Sequence, residues 1–275
     1  MSYSNADKFV VTMFVMKTII APTDFSPVSL NAVQYAADMA TAAETDLLIL
    51  HSSETPFGVT AEYNEEEIEQ KLVALKKRLL ERTGHNIRIG CKKVGGMIEN
   101  ELMKICTDRE PFAVVMATHG ESLRKLFFIG SITVYLSRNL KYPVIVVPEN
   151  ETFKPVHKIA LATDMKDVYD LPVEKISAVI RAFNAELDIV HVNSNGRHFT
   201  KDSIEVKIMG KLLRELYPQF HFVNNKKSVH NGILSFANDN NIDMILLLPK
   251  KHNLFYKSAS KQFIFNSPVT VMTIQ

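Results

Sequence analysis

The 275-residue sequence carries little net charge, a formal +2 at neutral pH. Its basic clusters run to only two or three residues, so no face is basic enough to be committed to nucleic acid or an acidic surface. Cysteine is nearly absent. Cys91 and Cys106 allow at most one disulfide and read as two reduced thiols of a cytoplasmic protein. Neither has a paired His at metal-ligand spacing, so no metal site is expected. Long apolar runs are missing too. The eight uncharged residues between Lys8 and Lys17 fall far short of the roughly 20 that span a bilayer. Asp7 precedes that run and no small-residue cleavage site follows, so neither an anchor nor a signal peptide is expected. We leave the first dozen residues out of the predicted fold. A Gly-x-Ser-x-Gly elbow and a Gly-x4-Gly-Lys-[Ser/Thr] phosphate loop are also lacking, which removes the most direct routes to acyl and phosphoryl transfer.

What is present is a repeat. "KTIIAPTDFS" at Lys17–Ser26 returns as "HKIALATDMK" at His157–Lys166, and "DLLILHSS" at Asp46–Ser53 returns as "LDIVHVNS" at Leu187–Ser194. Asp24 and His51 are 27 residues apart, and so are Asp164 and His191. "YPVIVVP" is echoed by "SPVTVMTI". Two copies of one domain therefore lie in tandem, over 17–149 and 156–275, joined by a polar linker.

Within the first copy, short apolar segments alternate with helical patterns. Strands are expected at Lys17–Pro22, Leu47–His51, "IRIGCKKV", Val114–Ala117 and Val144–Val147. A helix should start at Ser26-Pro27, with Ser as the cap and Pro in the first turn. "EEEIEQKLVALKKRLLER" reads as an amphipathic helix, acidic at its start and basic at its end as the macrodipole prefers. Further helices are expected at Ile98–Thr107 and Ser131–Asn139. Such alternation implies right-handed crossovers and a parallel sheet covered on both faces. The fold class is thus α/β, as two tandem five-stranded sandwiches of Rossmann-like type.

Ligands of such sheets sit beyond the carboxyl ends of the strands, where strand order reverses. The residues there are Thr23 and Asp24 after the first strand, Ser52 after the second, and Ala117 to Gly120 after the fourth. Gly120 permits close backbone approach. Gly130-Ser131 opens a helix whose first N–H groups lack intrahelical partners and carry the positive dipole end. Ser131 and Thr133 add hydroxyls, and Arg124 or Lys125 offers positive charge at the rim. Asp24 is placed to accept hydrogen bonds from ribose. His119 is read as a loop-shaping residue. His51 and His191 recur in both copies and are therefore read as structural.

These residues resemble the universal stress protein family. Its nucleotide-binding members carry Gly-x2-Gly-x9-Gly-[Ser/Thr] after the fourth strand and Pro-Thr-Asp after the first. This chain has Ala117-x2-Gly120-x9-Gly130-Ser131, with Ala117 in place of the first glycine, and Pro22-Thr23-Asp24. The resemblance covers nearly the whole chain. It implies an ATP site, with or without Mg²⁺, in the first copy alone: Pro22, Thr23, Asp24 and Ser52 at adenosine, and Met116, Ala117, Gly120, Gly130, Ser131, Ile132 and Thr133 at the phosphates. It also implies pairing through the last strand, here within one chain, with Val144–Val147 antiparallel to Val269–Met272. A further homo-oligomer would have to use another surface.

The second copy departs from this pattern. Twenty-two residues separate Gly120 from Pro143, but only 16 separate the corresponding Lys251 and Pro268, and no glycine occurs after Gly232. That copy is expected to have lost the nucleotide. Three functions are weighed: a stress-response regulator that binds ATP or another adenine nucleotide with little or no turnover, a scaffold acting through an unknown protein partner, and a weak ATPase. No acidic pair for Mg²⁺ accompanies the loop, which argues against fast phosphoryl transfer.

Overall fold

The computed structural model describes residues 18–54, 63–118, 131–193, 198–225, 228–249, 263–264 and 266–275. The first copy contributes β1 (Ile19–Pro22), α1 (Pro27–Ala42), β2 (Leu47–Ser52), α2 (Glu65–Arg82), β3 (Ile89–Val94), α3 (Ile98–Arg109), β4 (Ala113–Ala117), α4 (Ser131–Asn139) and β5 (Val144–Val147). The second contributes β6 (Lys158–Ala162), α5 (Val173–Phe183), β7 (Glu186–Asn193), α6 (Ile204–Leu212), β8 (Gln219–Asn224), α7 (Val229–Asp239), β9 (Met244–Leu247) and β10 (Thr270–Thr273).

All ten strands form one sheet in the order β3-β2-β1-β4-β5-β10-β9-β6-β7-β8. Pairing is parallel within each copy and antiparallel once, at β5–β10, where Val146, Ile145 and Val144 face Val271, Met272 and Thr273. The expected strand partnership is therefore present, with the second strand one residue further along than Val269–Met272.

Local signals explain most element boundaries. Ser26 caps α1 by accepting from Ser29 N–H at 3.2 Å, and Pro27 follows it. Asn64 and Glu67 form a reciprocal capping box at the start of α2, whose first turn is acidic and whose last turn holds Arg82. The α2 stripe Ile68, Leu72, Leu75 and Leu79 is buried at helical spacing.

One hydrophobic core runs under α1, α2, α5 and α6 across both copies, joining Ile19, Leu47 and Ile145 to Met272, Ile159 and Leu187. The opposite face is split into two clusters, one per copy, although Ile264 of the second copy packs into the first copy's cluster beside Val144 and Val146. The seam also carries polar contacts. The Asn31 amide donates to the carbonyls of Pro148 and Glu151 at 3.3 and 3.0 Å. Tyr35 crosses from α1 to hydrogen bond with Thr270, and its ring meets Phe153 edge-on at 5.3 Å. Burial pushes the Tyr35 phenol up to about 12. On the other side Lys175 donates to the carbonyls of Lys141 and Gln275, and the Gln275 amide donates to Ser137 O.

Candidate functional site

β1 runs into a tight, self-bonded turn. Pro22 is buried opposite Leu50 of β2, and Thr23 N–H donates to Leu50 O at 2.8 Å. The Thr23 hydroxyl faces inward, 2.9 Å from Ser29 Oγ, and accepts from Phe25 N–H at 3.0 Å. Asp24 Oδ1 accepts from Ser26 N–H at 3.0 Å. This winding puts Phe25 at φ 63°, a left-handed conformation costing a non-glycine residue about 1–2 kcal/mol. Each hydrogen bond in the turn returns roughly 1 kcal/mol net, so the turn offsets its own strain.

A histidine clamps the turn from below. His51 Nδ1 lies 2.8 Å from Thr23 O; a carbonyl only accepts, so Nδ1 carries the proton. The Phe25 ring covers the imidazole at 4.6 Å. Burial holds His51 below the usual histidine range, although the Thr23 bond and Asp24 act the other way.

The second copy repeats this geometry. Met165 stands at φ 57°, its N–H bonds Thr163 Oγ1 at 3.1 Å, Asp164 Oδ1 accepts from Lys166 N–H at 3.0 Å, and His191 Nδ1 lies 2.9 Å from Thr163 O. The structural reading of both histidines fits this duplicated clamp. What differs is the following segment. In the first copy α1 begins at Pro27, directly after the turn. In the second a 3-10 turn, Val168–Asp170, intervenes, and α5 begins only at Val173 with no side-chain cap.

The other candidate residues stand on neighbouring strand ends. Ser52 ends β2, with its hydroxyl 2.7 Å from Gly96 O and 3.2 Å from Glu54 O, tying the β2 exit to the loop after β3. Met116 is buried in β4 and Ala117 ends that strand. Ser131 opens α4, and Ile132 packs partly buried against the first copy's second cluster. Thr133, 4% exposed, donates its hydroxyl to Ala117 O at 3.2 Å. Its proton is used to pin the first turn of α4 to the end of β4. Gly120 and Gly130, with His119, Arg124 and Lys125, lie outside the described residues.

Strands β2, β1 and β4 are adjacent, so Ser52, Thr23-Asp24 and Ala117 share one carboxyl edge. Strand order reverses between β1 and β4, the place where sheets of this kind take ligands. The N-terminus of α4 enters the same edge through Thr133, and the first N–H groups of a helix lack intrahelical partners. Sequence reasoning missed the inward turn of Thr23 and the positive φ of Phe25. The only sequence hint was that Thr-Asp recurs in both copies with a non-glycine after it. Among the described residues, no three His, Cys, Asp or Glu side chains are grouped to hold a metal.

The first copy matches the model of the universal stress protein family over residues 16–148. Those residues are a universal stress protein domain. Two curated universal stress proteins of Methanocaldococcus jannaschii are similar to this chain. One is 29% identical over 140 residues, covering 48% of this chain and 81% of the relative; the other is 26% identical over 152 residues, covering 48% and 94%. A solved universal stress protein from Archaeoglobus fulgidus aligns over 94% of this chain and 96% of its own, with a TM-score of 0.71 at 18% identity. That likeness extends the family's fold to the second copy. The chain thus carries a universal stress protein domain in its first half, followed by a second copy of the same fold.

Proposed function

We propose that this universal stress protein is a regulatory nucleotide-binding protein of the cytoplasm, which takes ATP or another adenine nucleotide in its first copy alone. The observation that carries this reading is the placement of the Ala117-x2-Gly120-x9-Gly130-Ser131 motif. Its two ends are Ala117, closing β4, and Ser131, opening α4, at the point where strand order reverses.

Each candidate residue has a role in this reading. Main-chain N–H groups around Gly120 and at the start of α4 hold phosphate oxygens. Thr133 keeps α4 against β4 through its bond to Ala117 O. Asp24 and Ser52, on neighbouring strand ends, border the adenosine. The Thr23–His51 clamp fixes the turn that presents Asp24. Mg²⁺, when bound with the nucleotide, would supply charge neutralisation at the phosphates. Among the described residues none is oriented as a general base, and our reading assigns little or no turnover.

The scaffold reading finds support in the second copy. It keeps the strand order and the histidine clamp, while six fewer residues separate Lys251 from Pro268 than separate Gly120 from Pro143. In our reading this half completes the sheet and serves partner contacts. The experiment is mass analysis of small molecules released when freshly purified protein is denatured. An adenine nucleotide near one per chain supports the proposal. Its absence, together with no binding of added ATP, leaves the scaffold.

A further inference from the structure

The ten-stranded sheet ends on two unlike edges. β3, at one end, carries Lys92 and Lys93, and Lys93 pairs with Glu65 of α2 at 3.0 Å. Charged side chains of this kind keep an edge from pairing with another chain. β8, at the other end, reads Gln219-Phe220-His221-Phe222-Val223-Asn224, without one Lys, Arg, Asp, Glu or Pro. No described strand pairs with its outer side.

The backbone states what fits there. Asn225 N–H donates inward to Asn193 O of β7. Alternation along a strand then turns Gln219, His221 and Val223 toward β7 and leaves the N–H and C=O groups of Phe220, Phe222 and Asn224 on the open edge. An edge of outward amides and carbonyls is matched by another extended strand. Its side chains are equally suited to contact. Phe220 and Phe222 are half-buried on the helical face beside α6, where a methyl on Gly210 would sit 3.6 Å from the Phe220 ring. Tyr217, just before the strand, is 83% exposed.

The sequence of β8 is also complementary to itself. Placed antiparallel about a two-fold axis at His221, it sets Phe220 opposite Phe222 of a second copy, twice, in the hydrogen-bonded positions that their outward groups require. On β3 an antiparallel two-fold at Lys92 would set Lys92 opposite Lys92 of the second copy, a like-charge pair. We propose that the protein forms a homodimer through antiparallel β8–β8 pairing, continuing the sheet from one chain into the next. Aromatic cross-strand pairs favour this occupant over an unrelated peptide. The proposal is independent of the nucleotide reading.

The test is sedimentation velocity of the full chain across a dilution series from micromolar upward, with hydrogen exchange at both ends of the series. The expected result is a doubling of mass on concentration, with the Phe220 and Phe222 amides protected only in the concentrated sample. Phe222→Lys should be monomeric with an unchanged circular dichroism spectrum, and Cys91→Lys on β3 should still dimerise. The proposal is overturned if the wild-type chain stays monomeric throughout. It is overturned equally if Phe222→Lys still dimerises, if Ile204→Lys on α6 alone abolishes assembly, or if those amides exchange at one rate regardless of concentration.

Discussion

His51 donates to the carbonyl of Thr23 at 2.8 Å, and 140 positions later His191 does the same to Thr163 at 2.9 Å. Burial lowers the pKa of both histidines below the ordinary value of 6.5. The folded protein thus binds these protons less readily than the unfolded chain. Stability from the two clamps is full above pH 6.5 and falls as pH drops through the window between the unfolded and the lower folded values. Urea melts at pH 7.5 and 5.5 check this. The wild type should lose stability at the lower pH, and His51→Gln with His191→Gln should show a shallower dependence. Each single change should cost about 1–3 kcal/mol at pH 7.5, because it leaves a buried carbonyl poorly paired.

The seam makes one cooperative unit of two copies. A single core spans both, and Val146 stands directly opposite Val271. Antiparallel neighbours have Cα atoms about 4.5–5.5 Å apart, within disulfide range. Val146→Cys with Val271→Cys should close an intrachain disulfide at high dilution, seen as a mobility shift without dimer. Calorimetry should give one transition whose van't Hoff and calorimetric enthalpies agree. Two separate transitions would show that the copies unfold independently.

Gly232 of α7 is a case where two effects oppose each other. Gly→Ala inside a helix usually stabilises by roughly 1 kcal/mol. Here the added methyl would meet Val192 Cγ1 at 2.9 Å, Val192 Cγ2 at 3.0 Å and Asn225 Cβ at 3.1 Å. Valine is stiff at χ1, so it yields little, and overpacking costs about 1–3 kcal/mol. Crowding wins. Gly232→Ala should lower the thermal midpoint by a few degrees, on the scale of about 2–4 °C per kcal/mol for a chain approaching this size.

Ala117 ends β4 in the place where the family motif has its first glycine. If a methyl there restrains backbone approach to phosphate, Ala117→Gly should tighten ATP binding several-fold while costing up to about 1 kcal/mol of stability in the apo protein. Titration calorimetry and a denaturant melt on the same variant separate the two. Unchanged or weaker affinity would show that Ala117 does not limit the site.

Much of the architecture was legible in the sequence because repetition and capping are local or periodic signals. The 27-residue spacing from Asp to His marked the duplication, Ser26-Pro27 marked α1, and the β-branched runs of β5 and β10 marked the seam. Other features depend on contacts distant in sequence. Asp188 lies on β7 where the first copy has Leu48, and nothing local shows that it is 4% exposed against His221 Nε2 at 2.8 Å. The 3-10 turn that delays α5 until Val173 was not predicted, although Pro172 directly before the helix is a local start signal. At the candidate site, strand ends were predictable from burial patterns. The inward hydroxyls of Thr23 and Thr133 were not, since their partners, Ser29 Oγ and Ala117 O, are set by packing.

The most direct test of the nucleotide assignment is calorimetric titration of ATP into the wild-type chain, Gly130→Asp and Lys251→Asp. Gly130→Asp puts a carboxylate where phosphate is proposed to sit, and Lys251→Asp changes the corresponding position of the second copy. The account predicts one site per wild-type chain, no heat of binding in Gly130→Asp and unchanged binding in Lys251→Asp. Two sites per chain, or binding that survives Gly130→Asp and vanishes in Lys251→Asp, would contradict it.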